Sequence, residues 1–69
     1  MKVYNLEDGI IKTVYRTDDG RIFGFSAKHT LETIATTVVS LMLEPQAFYQ
    51  DTEVNFNEYK DRLTLVCEL

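Results

Sequence analysis

The stretch Thr30-Leu-Glu-Thr-Ile-Ala-Thr-Thr-Val-Val-Ser-Leu-Met-Leu-Glu-Pro45 decides how the rest of the chain is arranged. Its residues Leu31, Ile34, Ala35, Val38, Leu41 and Met42 recur at spacings of three and four, which places them in one stripe of an α-helix. Thr30 fits the N-cap, and Glu32 in the first turn suits the positive end of the helix dipole. Pro45 stops the helix near Leu43, because the residue before a proline is pushed out of the helical region.

On either side of this segment the period shortens to two. Lys2 to Leu6 reads as a short strand, and Glu7-Asp8-Gly9 as a turn in which Gly9 supplies a positive φ. Ile10 to Arg16 is rich in β-branched and aromatic residues and reads as a second strand. Thr17-Asp18-Asp19-Gly20 is a hairpin signal that suits a type I′ turn, or a type I turn closed by a left-handed glycine. Arg21 to Ser26 is a third strand. Gly24 within it marks a bulge or a place where a cross-strand aromatic lies over the backbone. After the helix, Gln46 to Thr52 reads as a loop or short helical turn. Val54 and Phe56 alternate within Thr52 to Tyr59, predicting a strand, and Tyr59 to Arg62 predicts a turn. In Leu63 to Leu69, residues Leu63, Leu65, Cys67 and Leu69 share one side.

The order β-β-β-α-β-β predicts an α+β fold over residues 1–69 as a single domain. An antiparallel sheet of four to five strands carries one helix packed on one face. One short helix cannot cover both faces of such a sheet, so the second face is expected to be solvated or covered by something else.

A chain of 69 residues builds one small core, and domains of this size often add disulfides, a metal or a partner subunit. Its one cysteine, Cys67, closes the disulfide route within the chain. A lone cysteine fits a reducing compartment. The apolar run Val38–Leu43 is broken by Ser40 and falls short of the roughly 20 residues of a membrane span. Together these predict a cytoplasmic protein with no membrane partner.

Eleven acids against seven bases give a net charge of −4. From Met1 to Leu43, Glu7, Asp8, Asp18, Asp19 and Glu32 are balanced by Lys2, Lys12, Arg16, Arg21 and Lys28. From Glu44 onward, Glu44, Asp51, Glu53, Glu58, Asp61 and Glu68 face only Lys60 and Arg62, so the whole net charge lies past the helix. Such asymmetry points to a charged partner.

No catalytic set emerges. His29 is the only histidine, and base catalysis also needs a nucleophile and an orienting group. At the helix entry, between Lys28 and Thr30, it reads as a solvent-facing residue. Cys67 falls on the apolar side of its strand and reads as a buried space-filling thiol. Asp51, Glu53, Asn55 and Asn57 alternate like the start of an EF-hand loop, but Phe56 stands where glycine is required and Arg62 where the bidentate glutamate is required. No metal site, cofactor or phosphate cradle is expected.

Three surfaces remain. Between residues 44 and 59, Glu44, Asp51, Glu53 and Glu58 interleave with Tyr49, Tyr59 and Asn55, and no lysine or arginine intervenes. In an extended segment Glu53, Asn55, Asn57 and Tyr59 would share a face. That face would offer anions and aromatic anchors to the basic groove of a partner protein, such as a nucleic-acid-handling one. A compact acidic chain of this kind suits an inhibitor or adaptor, including those carried by mobile elements. The same composition also suits a solvated surface that keeps a small chain in solution. On the back of the helix, Thr33, Thr36, Thr37 and Ser40 form an uncharged face, against the usual Lys, Glu and Arg of a solvated one. That face suits packing against a partner or a second copy of the chain, and a self-associating homodimer module using this face or an unpaired strand edge is the alternative function. Lys12, Val14 and Arg16 could meet Phe23 and Phe25 on one sheet face in a two- or four-residue-loop register, as single-stranded nucleic-acid binders do, although the negative net charge opposes phosphate. A three-residue loop would separate them.

Overall fold

A computed structural model describes residues 1–69. Its strands are β1 (Lys2–Leu6), β2 (Thr13–Arg16), β3 (Ile22–Phe25), β4 (Gln50–Asp51) and β5 (Leu63–Glu68). Its helices are α1 (Leu31–Leu43) and α2 (Glu53–Tyr59), with single 3₁₀ turns at Pro45–Ala47 and Lys60–Arg62. The strands form one antiparallel sheet in the order β4-β3-β2-β1-β5. The α+β class, the antiparallel sheet and the helix at Leu31 match the sequence reading. A second helix was not expected.

The hairpin between β2 and β3 sets which side chains share a face. Thr17 N donates to Arg21 O at 2.9 Å, and Gly20 N to Thr17 O at 3.1 Å. Gly20 sits at φ 88°, so the connection is a three-residue loop with a positive-φ glycine in its last position. This register pairs Val14 with Gly24, Tyr15 with Phe23 and Arg16 with Ile22. Phe23 and Phe25 therefore lie with Thr13 and Tyr15, on the opposite face from Val14 and Arg16. The basic-aromatic sheet face of Lys12, Val14, Arg16, Phe23 and Phe25 does not form, because an odd-numbered loop shifts the alternation by one residue.

The first face carries α1. Val3, Tyr15 and Phe23 from the sheet meet Ile34 and Leu41 in one buried cluster, flanked by Val38, Phe48, Val66 and Cys67. Thr30 caps the helix, accepting from Thr33 N at 3.4 Å. The contact line on α1 is Ile34–Thr37–Val38–Leu41, narrower than the expected stripe. The helix is turned about its axis so that Thr37 is half-buried, while Leu31, Ala35 and Met42 stand in the open.

The second face carries α2, which replaces the strand expected over Thr52 to Tyr59. Thr52 is an N-cap, accepting from Asn55 N at 3.2 Å. Phe56 and Tyr59, three apart, turn inward together and join Leu6, Val14 and Ile22 in a second buried cluster. The alternation of Val54 and Phe56 suggests a strand only if the i,i+3 pair Phe56/Tyr59 is ignored. The exposed apolar side of the sheet decides between the two, since a helix covers several strands and another edge strand covers none.

Two edges complete the sheet. β4 is only two residues long. On the other side, β1 pairs Val3 with Cys67 but Tyr4 with Leu65, so Val66 is an extra residue and β5 bulges there. The bulge puts both Val66 and Cys67 against the α1 cluster, so Cys67 is half-buried rather than fully enclosed, and Leu65 is exposed. β2 begins at Thr13, three residues later than expected, leaving Ile10 exposed. Gly24 marks neither a bulge nor an aromatic crossing. A Cβ there would meet Ile11 Cδ1 at 3.0 Å.

Candidate functional site

The helical form of Glu53–Tyr59 rearranges the acidic segment. Asp51, at the end of β4, is only 8% exposed. Its Oδ1 accepts from Thr52 N at 2.8 Å, Asn55 Nδ2 at 3.0 Å and Tyr49 OH at 3.4 Å. Its Oδ2 accepts from the buried Tyr59 OH. Burial, and then the bond to this carboxylate, push the Tyr59 phenol far above its ordinary pKa. The expected outward row of Glu53, Asn55, Asn57 and Tyr59, with Asp51 in line before it, is thus not one surface. Asp51 and Tyr59 point inward as the joint between β4 and α2, where the carboxylate also suits the positive end of the helix.

Glu53 is neutralised across the molecule. Arg16 Nη2 reaches its Oε1 at 2.9 Å and its Oε2 at 3.2 Å. Asp8 pairs with Arg62 at 3.6 Å, Asp19 with Arg21 at 3.1 Å and Glu7 with Lys28 at 3.2 Å. The acids of the second half that enter no ion pair are Glu44, Glu58, Asp61 and Glu68 on the surface, besides the inward Asp51. Tyr49 is 58% exposed and keeps its anchor area available. Asp51, Asn55, Glu58 and Tyr59 line a shallow cleft of about 380 Å³ beside Leu6 and Ile11. Of the expected set the structure brings these four together, with Tyr49 joined through Asp51, while Glu44 lies apart at the end of α1.

His29 does not face solvent as expected. Its Nδ1 lies 2.7 Å from Tyr15 OH, its backbone N donates to Thr13 Oγ1 at 2.9 Å, and its ring packs 4.8 Å from that of Phe25. Burial lowers the pKa of the imidazole, and burial raises that of the Tyr15 phenol. This arrangement fastens the entry of α1 to β2. The Nδ1 of His29 is thereby engaged by Tyr15.

The largest departure lies on α1. Leu31 is 66% exposed, Val39 57%, Met42 74% and Leu43 75%, and Ala35 is exposed between them. At 100° per residue Leu31, Ala35, Val39 and Met42 form a continuous strip. Beside it lie Thr33, Thr36 and Ser40. Thr36 and Ser40 return their hydroxyls to the carbonyls of Glu32 and Thr36 at 3.4 and 3.3 Å, and Thr33 shares its hydroxyl with Thr30. Their donors are consumed within the helix, which leaves the face uncharged and weakly polar. Glu32 is the only charged residue in thirteen. The Thr/Ser half of this face was legible in the sequence, apart from Thr37, which turns toward the sheet. Leu31, Ala35 and Met42, expected in the core-facing stripe, are surface residues instead, because helical spacing shows that a stripe exists but not how wide a strip the sheet will cover. No helix is long and apolar enough to cross a membrane.

Compared with protein-family models, with curated proteins and with solved structures, the chain matches none.

Proposed function

We propose that this chain is a non-enzymatic protein-interaction domain whose docking surface is the outer face of α1. One observation carries the reading: a 13-residue exposed helix bears a single charge and displays Leu31, Val39, Met42 and Leu43 to solvent. Isolated exposed leucines are ordinary, but a contiguous apolar strip on a monomeric surface marks an association site. Depletion of charge at the centre of the patch is the compositional mark of an interface core. The helix-in-groove mode fits, with anchors at Leu31, Ala35, Val39 and Met42. The single free thiol of Cys67 suits a reducing, cytoplasmic setting.

The experiment is a Val39→Asp/Met42→Asp variant. Both positions are exposed, so circular dichroism and Tm are expected to match wild type. Chemical cross-linking in native extract is expected to lose the adducts that wild type forms. Identical adducts from a folded double variant overturn the reading.

A second reading rests on a separate observation. Glu44, Glu58 and Asp61 are exposed without ion-pair partners, and Tyr49 is exposed. These residues suit docking onto a basic groove, as an inhibitor or adaptor of a nucleic-acid-handling protein would. Glu44→Lys/Glu58→Lys is its test. Loss of binding together with a flattened salt dependence supports it, and unchanged binding removes it.

A further inference from the structure

We infer that the cleft between the β1–β2 loop and α2 is a binding site for a linear aliphatic diamine. It lies on the face of the sheet opposite α1 and goes beyond both interaction readings above, although it shares Glu58 with the second.

The cleft is preformed. One wall is the loop Asp8–Ile11, in which Gly9 takes φ 86°. Leu6 N donates to Lys12 O at 2.9 Å across the base of the loop, and Lys12 Nζ donates to Glu7 O at 3.0 Å. The other wall is α2 with Arg62 after it, and Arg62 Nη1 lies 3.6 Å from Asp8 Oδ2. The buried Leu6 and Tyr59 form the floor, and Ile11 and the 86% exposed Ile10 form an apolar rim. The volume of about 380 Å³ falls at the small end of ligand sites.

Two properties select the ligand. The first is charge. Asp8, Asp51 and Glu58 face one guanidinium, that of Arg62, which leaves an excess of two negative charges. Nearby amines do not cancel it, since Lys12 is spent on Glu7 O and Lys28 on the Glu7 carboxylate. Asp51 is largely buried, so its attraction is screened less than that of a surface acid. The second property is hydrogen-bonding polarity. Asn55 Nδ2 and Tyr59 OH both donate to Asp51. What remains without a partner are acceptors: the Asn55 side-chain oxygen, the Glu58 carboxylate and the second oxygen of Asp8.

The charge excludes an anion, and a neutral apolar ligand leaves these acceptors unanswered. A divalent metal ion needs converging oxygens, and no three acidic side chains gather closely enough to hold one. An ammonium group offers three donors and no acceptor. Two such groups match the excess of two, and the methylene chain that joins them covers Leu6, Ile10 and Ile11. A single lysine side chain would cancel only one charge.

Amide chemical shifts in a titration with diaminopentane, an amine at each end, read the binding. Saturable shifts are expected at Leu6, Gly9, Ile10, Asn55 and Glu58, and none at Glu44 or Glu68. Glu58→Gln is expected to weaken binding about five- to tenfold, and Ile10→Ser to weaken it with no change of charge. Both positions are exposed, so both variants are expected to keep the wild-type Tm. Glu44→Gln, at the end of α1, is expected to leave amine binding unchanged, which separates the cleft from the docking surface of the second reading. Shifts spread evenly over every exposed acid, or Glu58→Gln binding as wild type does, overturn the inference. Pentylamine binding as tightly as the diamine overturns the two-charge assignment, the occupant then being a single ammonium such as a lysine of a partner protein.

Discussion

Arg16 on β2 holds Glu53 in the first turn of α2 with Nη2 at 2.9 and 3.2 Å from the two carboxylate oxygens, and its guanidinium carbon lies 4.4 Å from the Phe56 ring centroid. One side chain thus ties the short helix to the sheet twice, through an ion pair and through stacking. Both charged groups are more than a third exposed, so solvent screens the pair, which contributes at most about 1 kcal/mol. The stacking adds about 0.5–1 kcal/mol. Glu53→Gln is expected to cost under about 1 kcal/mol, and Arg16→Ala about 1–2 kcal/mol because it removes both contacts. Urea denaturation of the single and double variants measures this. Equal losses for Arg16→Ala and Glu53→Gln would show that the stacking contributes nothing.

Asp51 is expected to behave as a structural residue. Removing its carboxylate leaves Tyr59 OH, Asn55 Nδ2 and Thr52 N without their acceptor in a largely buried place. Asp51→Ala is expected to lower stability by about 3 kcal/mol, since unsatisfied buried donors cost roughly 1–3 kcal/mol each and relax only in part. Glu58→Ala, on the exposed side of the same helix, is expected to change stability by under about 0.5 kcal/mol. Thermal unfolding compares them. Near-equal Tm values for the two variants would remove Asp51 from the joint between β4 and α2.

How much of this was legible in the sequence depends on which residues carried the signal. Thr30 and Pro45 fixed α1, because a cap and a stop are local chemistry. The Asp-Gly pair located the hairpin, but the number of loop residues, and hence the face taken by Phe23 and Phe25, depends on how Thr17 pairs with Arg21. The seven residues of α2 were misread, since Val54 and Phe56 alternate as a strand does. The deciding factor was the uncovered side of Leu6, Val14 and Ile22, which lies far away in sequence. The acidic segment was visible as composition. The inward turn of Asp51 and the partner of Glu53 followed only from that tertiary arrangement. The outer face of α1 was half legible, in Thr33, Thr36 and Ser40.

Gly20 and Gly24 are expected to respond differently to alanine. At Gly20 a Cβ meets nothing within 4 Å, but φ is 88°, where an L-residue is strained by about 1–2 kcal/mol. At Gly24 φ is ordinary and the neighbour at 3.0 Å is the far end of the Ile11 side chain, which can shift. Gly20→Ala is therefore expected to cost about 1–2 kcal/mol, and Gly24→Ala less. Paired urea midpoints decide it, and a larger loss at Gly24 would mean that Ile11 is held rigidly.

His29 gives the pH dependence near neutrality. Burial against Tyr15 and Phe25 lowers its pKa in the folded state from the ordinary 6.5. The unfolded chain then binds the proton more readily than the folded one, so stability rises with pH through this window. The contribution is complete above the unfolded value and is lost as pH falls through it toward the folded one. Asp19, whose carboxyl is held below the usual 3.8 first by Thr17 and then by Arg21, acts only in a lower, separate window. From neutrality to about pH 5 the urea midpoint of wild type is expected to fall, while that of His29→Gln, which keeps a hydrogen-bonding side chain for Tyr15 OH, stays nearly level. Parallel slopes for the two proteins over that interval would show that the α1 entry is indifferent to the charge on this ring.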